Sequence, residues 1–300
     1  MTQLLHPAGT VASRLSYAAP TTVQAAVAVL AEASGAARVL AGGTDLLVQL
    51  RSGHSRPDLI VDIKRIPGLI GIREADGCFV IGAATPCAVI GEHRALREAW
   101  PGVVEAARLI GSTQVQGRAS LAGNLCNASP AADSVPALIA ARATCLVAGP
   151  SGNRELPVEA IPTGPGRTSL TRGELIVEFH LPERPPRSGD AYLRFIPRTE
   201  MDIAVAGAAV NVTLDASGAC TEARVVLGAV APTAILVPDG AAALVGRRLD
   251  EEALRRLDAA VRRACQPIDD KRGTIDFRVK VAGVLARRAA GMAFARAGGR

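Results

Sequence analysis

Two adjacent glycines, Gly42 and Gly43, interrupt an apolar run at a point where little besides a tight strand-to-helix turn can follow. Val39, Leu40 and Ala41 before them read as a short buried strand. After them come Thr44 and Asp45, and then Leu46, Leu47 and Leu50 take up helical spacing. Glycine lets the backbone bend through φ > 0 and come close to a ligand. Successive N–H groups in such a turn form an anion-binding nest, and the start of a helix adds partial positive charge. Thr44 adds a hydroxyl donor. No Lys or Arg lies within Val39–Leu46, so an anion here would be held mainly by backbone. A tight turn that binds nothing accounts for these residues equally well.

The rest of the chain narrows the choice. Its 300 residues can bury a large core and fill about two domains. At 49% hydrophobic and 21% charged, it has an ordinary globular composition. Aromatics make up only 3%, which argues against stacking platforms for single-stranded nucleic acid. The net charge of +6 is carried by arginines spread over several helices, which fits a solvated basic surface better than a nucleic-acid site. The six cysteines form no C-x-x-C pair and the four histidines no H-E-x-x-H pattern, so no zinc or iron–sulfur ligand set is visible. The cysteines fit small buried apolar residues in a reducing compartment, and a cytoplasmic location is expected. The N-terminus lacks the pattern of a secretory signal, and no apolar run reaches membrane-spanning length. No G-x-G-x-x-G follows a strand, which argues against a nicotinamide-type dinucleotide fold.

Read in order, residues 1–16 form an arm, and Thr21 or Thr22 caps a helix running to about Ser34, with Ala26 and Leu30 on its apolar face. Strands follow at Leu59–Ile63 and Cys78–Ala83, with a turn at Asp76-Gly77. Helices are predicted at Val89–Arg97 and Val103–Ile110. The polar, glycine-bearing stretch Gly111–Asp133 is too long for a simple connection, and long ordered loops often carry function. Asp133 is a candidate N-cap for a helix over Ser134–Arg142. A hairpin centred on Gly149–Asn153 and a strand at Glu174–Leu181 precede Pro182–Gly189, a proline-rich charged linker where the domain boundary is placed. Beyond it, strands are predicted at Tyr192–Pro197, Ile203–Leu214 and Ala223–Ala229, and amphipathic helices at Glu251–Cys265 and Thr274–Arg296.

Three motifs in order carry a resemblance. They are Ala41–Leu46, Ser120-Leu121-Ala122-Gly123-Asn124, and Ala128-Ser129-Pro130-Ala131-Ala132-Asp133, with Arg198–Ala204 as a further match. Together they resemble the FAD-binding medium subunit of the molybdenum hydroxylases, the family of xanthine dehydrogenase and aerobic carbon monoxide dehydrogenase.

The resemblance implies an α+β fold. A two-subdomain FAD-binding domain of the PCMH type would cover residues 14–187, with a break near 55–58. A smaller α+β domain, a three-stranded antiparallel sheet with helices, would cover 190–297. It also implies roles. Val39, Leu40, Ala41, Gly42, Gly43, Thr44, Asp45 and Leu46 would hold the FAD diphosphate. Ser120, Leu121, Ala122, Gly123 and Asn124 would line the other side of the cofactor, with Gly123 permitting close approach. Asp133 would accept hydrogen bonds from cofactor hydroxyls. Ile110 and Ile176 would touch the flavin ring, although some relatives are aromatic at the position of Ile110. Arg194 stands where the usual residue near the flavin carbonyls is lysine.

No catalytic acid, base or nucleophile and no metal ligand is expected in this chain. Partners would be a large molybdopterin subunit and a small subunit with two [2Fe–2S] clusters, assembled as a dimer of heterotrimers. Electrons would pass through the clusters to FAD and on to an external acceptor. Because neither Val39–Leu46 nor Ser120–Asn124 contains His or Cys, noncovalent FAD is expected. Two other readings compete: a self-contained FAD-dependent oxidoreductase of the same fold superfamily, and a scaffold that has lost the cofactor.

Overall fold

The structure, a computed structural model, describes residues 15–298. Most of the expected N-terminal arm therefore lies outside the described residues, and Ser16 already belongs to a strand.

The first layer is a small parallel sheet with two helices. Its elements are β1 (Ser16–Ala18), α1 (Val23–Glu32), β2 (Ala37–Leu40), α2 (Leu46–Arg51) and β3 (Leu59–Asp62). The Thr22 hydroxyl caps α1 by accepting from the Ala25 amide at 3.1 Å, and the helix buries Ala26 and Leu30. The sheet order is β1-β3-β2, with β3 parallel to both neighbours. Because Leu59–Asp62 belongs to this sheet, the crossing to the next sheet comes after Asp62, and not near 55–58 as the resemblance implied.

The second layer is an antiparallel sheet covered by short helices. A hairpin of β4 (Ile72–Ala75) and β5 (Cys78–Gly82) opens it. Its two turn residues, Asp76 and Gly77, have φ of 51° and 75°, as a two-residue hairpin loop of this hand requires. The helices are α3 (Cys87–Glu92), α4 (Arg94–Ala99), α5 (Pro101–Arg108), α6 (Thr113–Gln116), α7 (Leu121–Cys126) and α8 (Ser134–Ala140). The helix predicted over Val89–Arg97 is two helices, because His93 leaves helical geometry and its ring nitrogen caps α4 at the Leu96 amide, 3.1 Å away. The stretch Gly111–Asp133 is likewise not irregular throughout; it holds α6 and α7, capped by Ser112 and Ser120. The layer is completed by β6 (Thr144–Gly149), β7 (Gly152–Pro157), the small pair β8 (Pro162–Gly164) and β9 (Arg167–Thr168), and β10 (Leu175–Leu181), in the sheet order β4-β5-β10-β6-β7.

The last layer has β11 (Ser188–Phe195), β12 (Ala206–Leu214), β13 (Cys220–Gly228), β14 (Ile235–Leu236), α9 (Pro238–Leu244), α10 (Glu251–Ala264) and α11 (Ile275–Ala297). Three long antiparallel strands form the sheet as expected, and the two-residue β14 adds a fourth at one edge. The helix α10 buries Ala253, Leu257, Ala260 and Val261, while Arg255 and Arg256 pair with Glu252 on its outer side.

The predicted linker is partly tied down. Pro185, Pro186 and Arg187 are exposed, but Arg184 bonds to Asp190 at 2.7 Å and lies 4.5 Å over the Trp100 ring. More contacts cross the same seam. Tyr192 is fully buried in the core of the second layer, and Arg296 near the end of α11 pairs with Glu105 of α5.

Candidate functional site

A cleft of about 620 Å³ runs between the first and second layers, within the usual range for ligand sites, about 300–1,000 Å³. One wall is the segment that ends β2 and begins α2. The amides of Gly42, Gly43, Thr44, Asp45 and Leu46 donate to no protein acceptor among the described residues, and neither does the Thr44 hydroxyl. A row of free N–H groups beside a cleft is chemically an anion site.

The glycines are required here for two different reasons. Gly43 has φ of +78°, and a Cβ on it would sit 2.9 Å from a Leu40 methyl. Gly42 has ordinary φ, but a Cβ there would fall 1.9 Å from the Arg118 carbonyl oxygen. The first glycine thus lets two chain segments from different layers touch, and the second lets the chain turn.

The opposite wall is the start of α7. The Ser120 hydroxyl accepts from the Gly123 amide at 3.2 Å, which leaves the Leu121 and Ala122 amides without protein acceptors among the described residues. Gly123 is exposed to the cleft, and a Cβ on it would meet only the Ser120 Oγ, at 3.3 Å. Asn124 lines the cleft, and its Oδ1 accepts from both the amide and the hydroxyl of Ser134, at 3.2 and 2.7 Å. Asn124, not Asp133, therefore caps α8. Asp133 occupies the N-cap position with helical φ and ψ and makes no side-chain cap bond.

Of the residues singled out from sequence, Val39, Ala41–Leu46, Ile110, Ser120, Ala122, Gly123, Asn124 and Ile176 line one continuous cleft. Four do not. Leu40 turns away, packing its methyl under Gly43, as alternation along a strand dictates. Leu121 is 1% exposed, on the inner face of α7. Asp133 and Arg194 are buried together outside the cleft, between the second and last layers. Arg194 pairs with the Asp133 Oδ2 at 2.5 Å, and the Tyr192 hydroxyl donates to Oδ1 at 2.9 Å. Burial pushes the Asp133 carboxyl up to about 6, against the pull of Arg194 and Tyr192 in the other direction. In this structure Asp133 and Arg194, each expected to contact the cofactor, pair with one another, and neither lines the cleft.

The cleft also has walls that sequence reasoning missed. Gln49 of α2 donates to Asn127 at 3.0 Å, a second link between layers. Cys126 and His54 open onto the cleft, and Cys126 is exposed there. The segment Gly166–Leu175 forms a third wall with Thr168, Thr171 and Arg172. It feeds β10 through a bulge between Ile176 and Glu178 that re-aims the strand beside the cleft. A short run of glycines, threonines and arginines has no periodicity to mark it in the sequence.

Comparison with known proteins agrees with this architecture. Residues 12–184 match the family described as the FAD binding domain in molybdopterin dehydrogenase, and residues 191–293 match the CO dehydrogenase flavoprotein C-terminal domain. The carbon monoxide dehydrogenase medium chain of Hydrogenophaga pseudoflava is 34% identical over 94% of this chain and 98% of its own length. A putative xanthine dehydrogenase FAD-binding subunit of Escherichia coli is 32% identical over 95% and 98%. Among solved structures, carbon monoxide dehydrogenase from Hydrogenophaga pseudoflava superposes with a TM-score of 0.90 over 94% of this chain and 98% of that one, at 34% identity. Quinoline 2-oxidoreductase from Pseudomonas putida superposes with a TM-score of 0.87 at 26% identity, over 94% and 98%.

Proposed function

This chain belongs to the family of FAD-binding subunits of molybdopterin dehydrogenases, and from that premise we propose that it is the electron-transfer subunit of a molybdopterin-dependent hydroxylase or dehydrogenase. The observation that carries the reading is the pair of facing backbone nests, at Gly42–Leu46 and Leu121–Ala122, on either side of a single cleft. Seven amides without protein acceptors among the described residues fit the diphosphate of a dinucleotide. When bound, FAD supplies the redox chemistry, taking electrons and passing them to an external acceptor.

The chain's own residues have the task of positioning. Gly42–Leu46 and Thr44 would hold the diphosphate from one side, and Ser120–Gly123 from the other. Buried Ile110 and Ile176 would offer the flavin ring apolar contact and keep water from its faces. Among the described residues no cluster of His, Cys, Asp or Glu could hold a metal ion, so the reading assigns the metal and cluster chemistry to partners. Those partners would be a large molybdopterin subunit and a small [2Fe–2S] subunit, in a dimer of heterotrimers located in the cytoplasm. No described helix is long and apolar enough to cross a membrane. The break in chain direction at Pro182–Ser188 would separate a flavin-binding domain over residues 14–187 from a smaller domain over 190–297.

The test is co-expression with the neighbouring molybdopterin and [2Fe–2S] subunits. A complex containing molybdenum, iron and flavin, set against a lone chain that is yellow but turns over no organic substrate, is the expected result. A lone chain that oxidises such a substrate at full rate would overturn the reading in favour of a self-contained flavoenzyme.

A further inference from the structure

Six large apolar side chains stand exposed at one corner of the last layer. Phe195 ends β11, Met201 and Ile203 lie in the connection to β12, Ile268 precedes α11, and Ile275 and Phe277 open that helix. The rings of Phe195 and Phe277 meet edge to face, with centroids 5.7 Å apart. Asp202, between Met201 and Ile203, accepts from Arg198 at 3.1 Å and from Arg272 at 3.3 Å. Asp269, next to Ile268, accepts from the Ile275 amide at 2.5 Å. The corner is thus one surface, built from two loops and a helix start that are bound to one another.

Its backbone holds an apolar side chain outward. Met201 has φ of 56°, a conformation that strains any residue but glycine. Arg198 donates to its carbonyl at 3.1 Å, and the side chain is 55% exposed. Strain that leaves an apolar side chain in water has no packing reason within the chain. Contiguous exposed apolar surface marks a place of contact.

Charge says what fits there. Residues 195–205 and 268–280 carry five basic and five acidic side chains, whereas the whole chain carries +6. Two copies therefore repel one another except through a balanced surface such as this. Arg198, Asp202, Asp270, Arg272 and Arg278 pair among themselves. Glu200, Lys271, Asp276 and Lys280 are exposed and make no ion pair among the described residues. Both signs on one patch suit a two-fold contact, in which each copy offers the same residues and must complement itself. We propose that this corner docks a second copy of the chain, with the apolar residues at the centre and the four charges at the rim. The inference does not rest on the flavin reading, since none of these residues lines the cleft.

Sedimentation equilibrium of the full chain over a concentration series should show monomers in exchange with dimers. Met201→Asp should raise the dimer dissociation constant about ten-fold or more. Asp accepts positive φ readily, so circular dichroism and flavin content should match wild type. Glu200→Lys with Asp276→Asn makes the corner positive, and Lys271→Glu with Lys280→Gln makes it negative. Each double variant should be monomeric alone, and an equal mixture of the two should restore the dimer. A wild-type chain that stays monomeric throughout overturns the proposal, as does a mixture no more dimeric than its components. A dimer that Met201→Asp leaves undisturbed puts the contact elsewhere and overturns it too. A monomeric wild type whose Met201→Asp variant fails to join a molybdopterin or [2Fe–2S] subunit would give the corner to a different chain.

Discussion

The guanidinium of Arg194 lies 2.5 Å from the carboxylate of Asp133, 61 residues away, and both side chains are less than a tenth exposed. The pair joins the residue before α8 to the C-terminal end of the seam strand β11, and Tyr192, two residues from Arg194, donates to the same carboxylate. Removing one partner of a buried pair leaves the other to neutralise or to pay for its burial.

Arg194→Ala should therefore destabilise the protein, by up to about 3–5 kcal/mol where Asp133 is ionised. The loss should depend on pH. Without the guanidinium, only the Tyr192 hydroxyl still opposes burial, and the carboxyl is driven above its present value of about 6. At pH 5 a protonated Asp133 tolerates the missing partner, and at pH 8 it does not. Thermal melts of wild type and variant at the two pH values check this; equal losses at both would mean that Arg194 contributes packing and not charge.

Asp133→Asn tests the sign from the other side. The folded protein holds this proton more tightly than the unfolded chain, because the carboxyl lies at about 6 against an ordinary 3.8. The associated stability is fully present below about pH 4 and is lost as pH rises through about 6. Asn cannot ionise and does not suffer that loss. The melting temperature of the variant relative to wild type should rise between about pH 4 and 6 and level off above. A difference that does not change across this window would show that Asp133 does not titrate there.

Gly43→Val and Gly42→Ala should fail differently. At Gly43 a β-branched residue meets a φ of +78°, with strain of about 1–3 kcal/mol. The fold should survive with native-like circular dichroism and most of the flavin lost. At Gly42 even one methyl falls 1.9 Å from the backbone oxygen of Arg118, which no rotamer change relieves. That variant should lose flavin and melt at a lower temperature, since the two walls must part. Full flavin occupancy in Gly43→Val would remove the nest from the cofactor site.

Acid precipitation of the yellow chain should release its flavin into the supernatant. Cys126 stands exposed at the cleft, but an ordinary thiol is mostly protonated and weakly nucleophilic at neutral pH. Flavin that pelleted with the denatured chain, and was lost from the pellet of Cys126→Ser, would reveal a covalent tether.

Much of this was legible in the chain. The Gly42-Gly43 turn announced itself because glycine pairs between an apolar strand and a helical repeat have few other uses. Thr22, one of two adjacent candidates, announced its cap by standing just before an amphipathic run, whereas the cap made by Ser120 was hidden within a polar stretch. What could not be read was pairing at long range. Gly42 looks like a turn residue and is needed because Arg118 passes beside it. Asp133 and Arg194 were each picked out singly as cofactor contacts, and only the packing of β11 on α8 reveals that they bind one another. The break at His93 was hidden because its neighbours on both sides are good helix formers, and a side-chain cap within the run is a tertiary choice.

The pairing of Arg296 with Glu105, 191 residues apart, bears on how the molecule is made. A ribosome delivers the layers of the cleft before α11, so they emerge in that order. Glu105 and the backbone of Asp190 await a guanidinium translated long after them. The growing chain thus has a checkpoint: this fastening of the last layer onto the layers that form the cleft waits until α11 has been made.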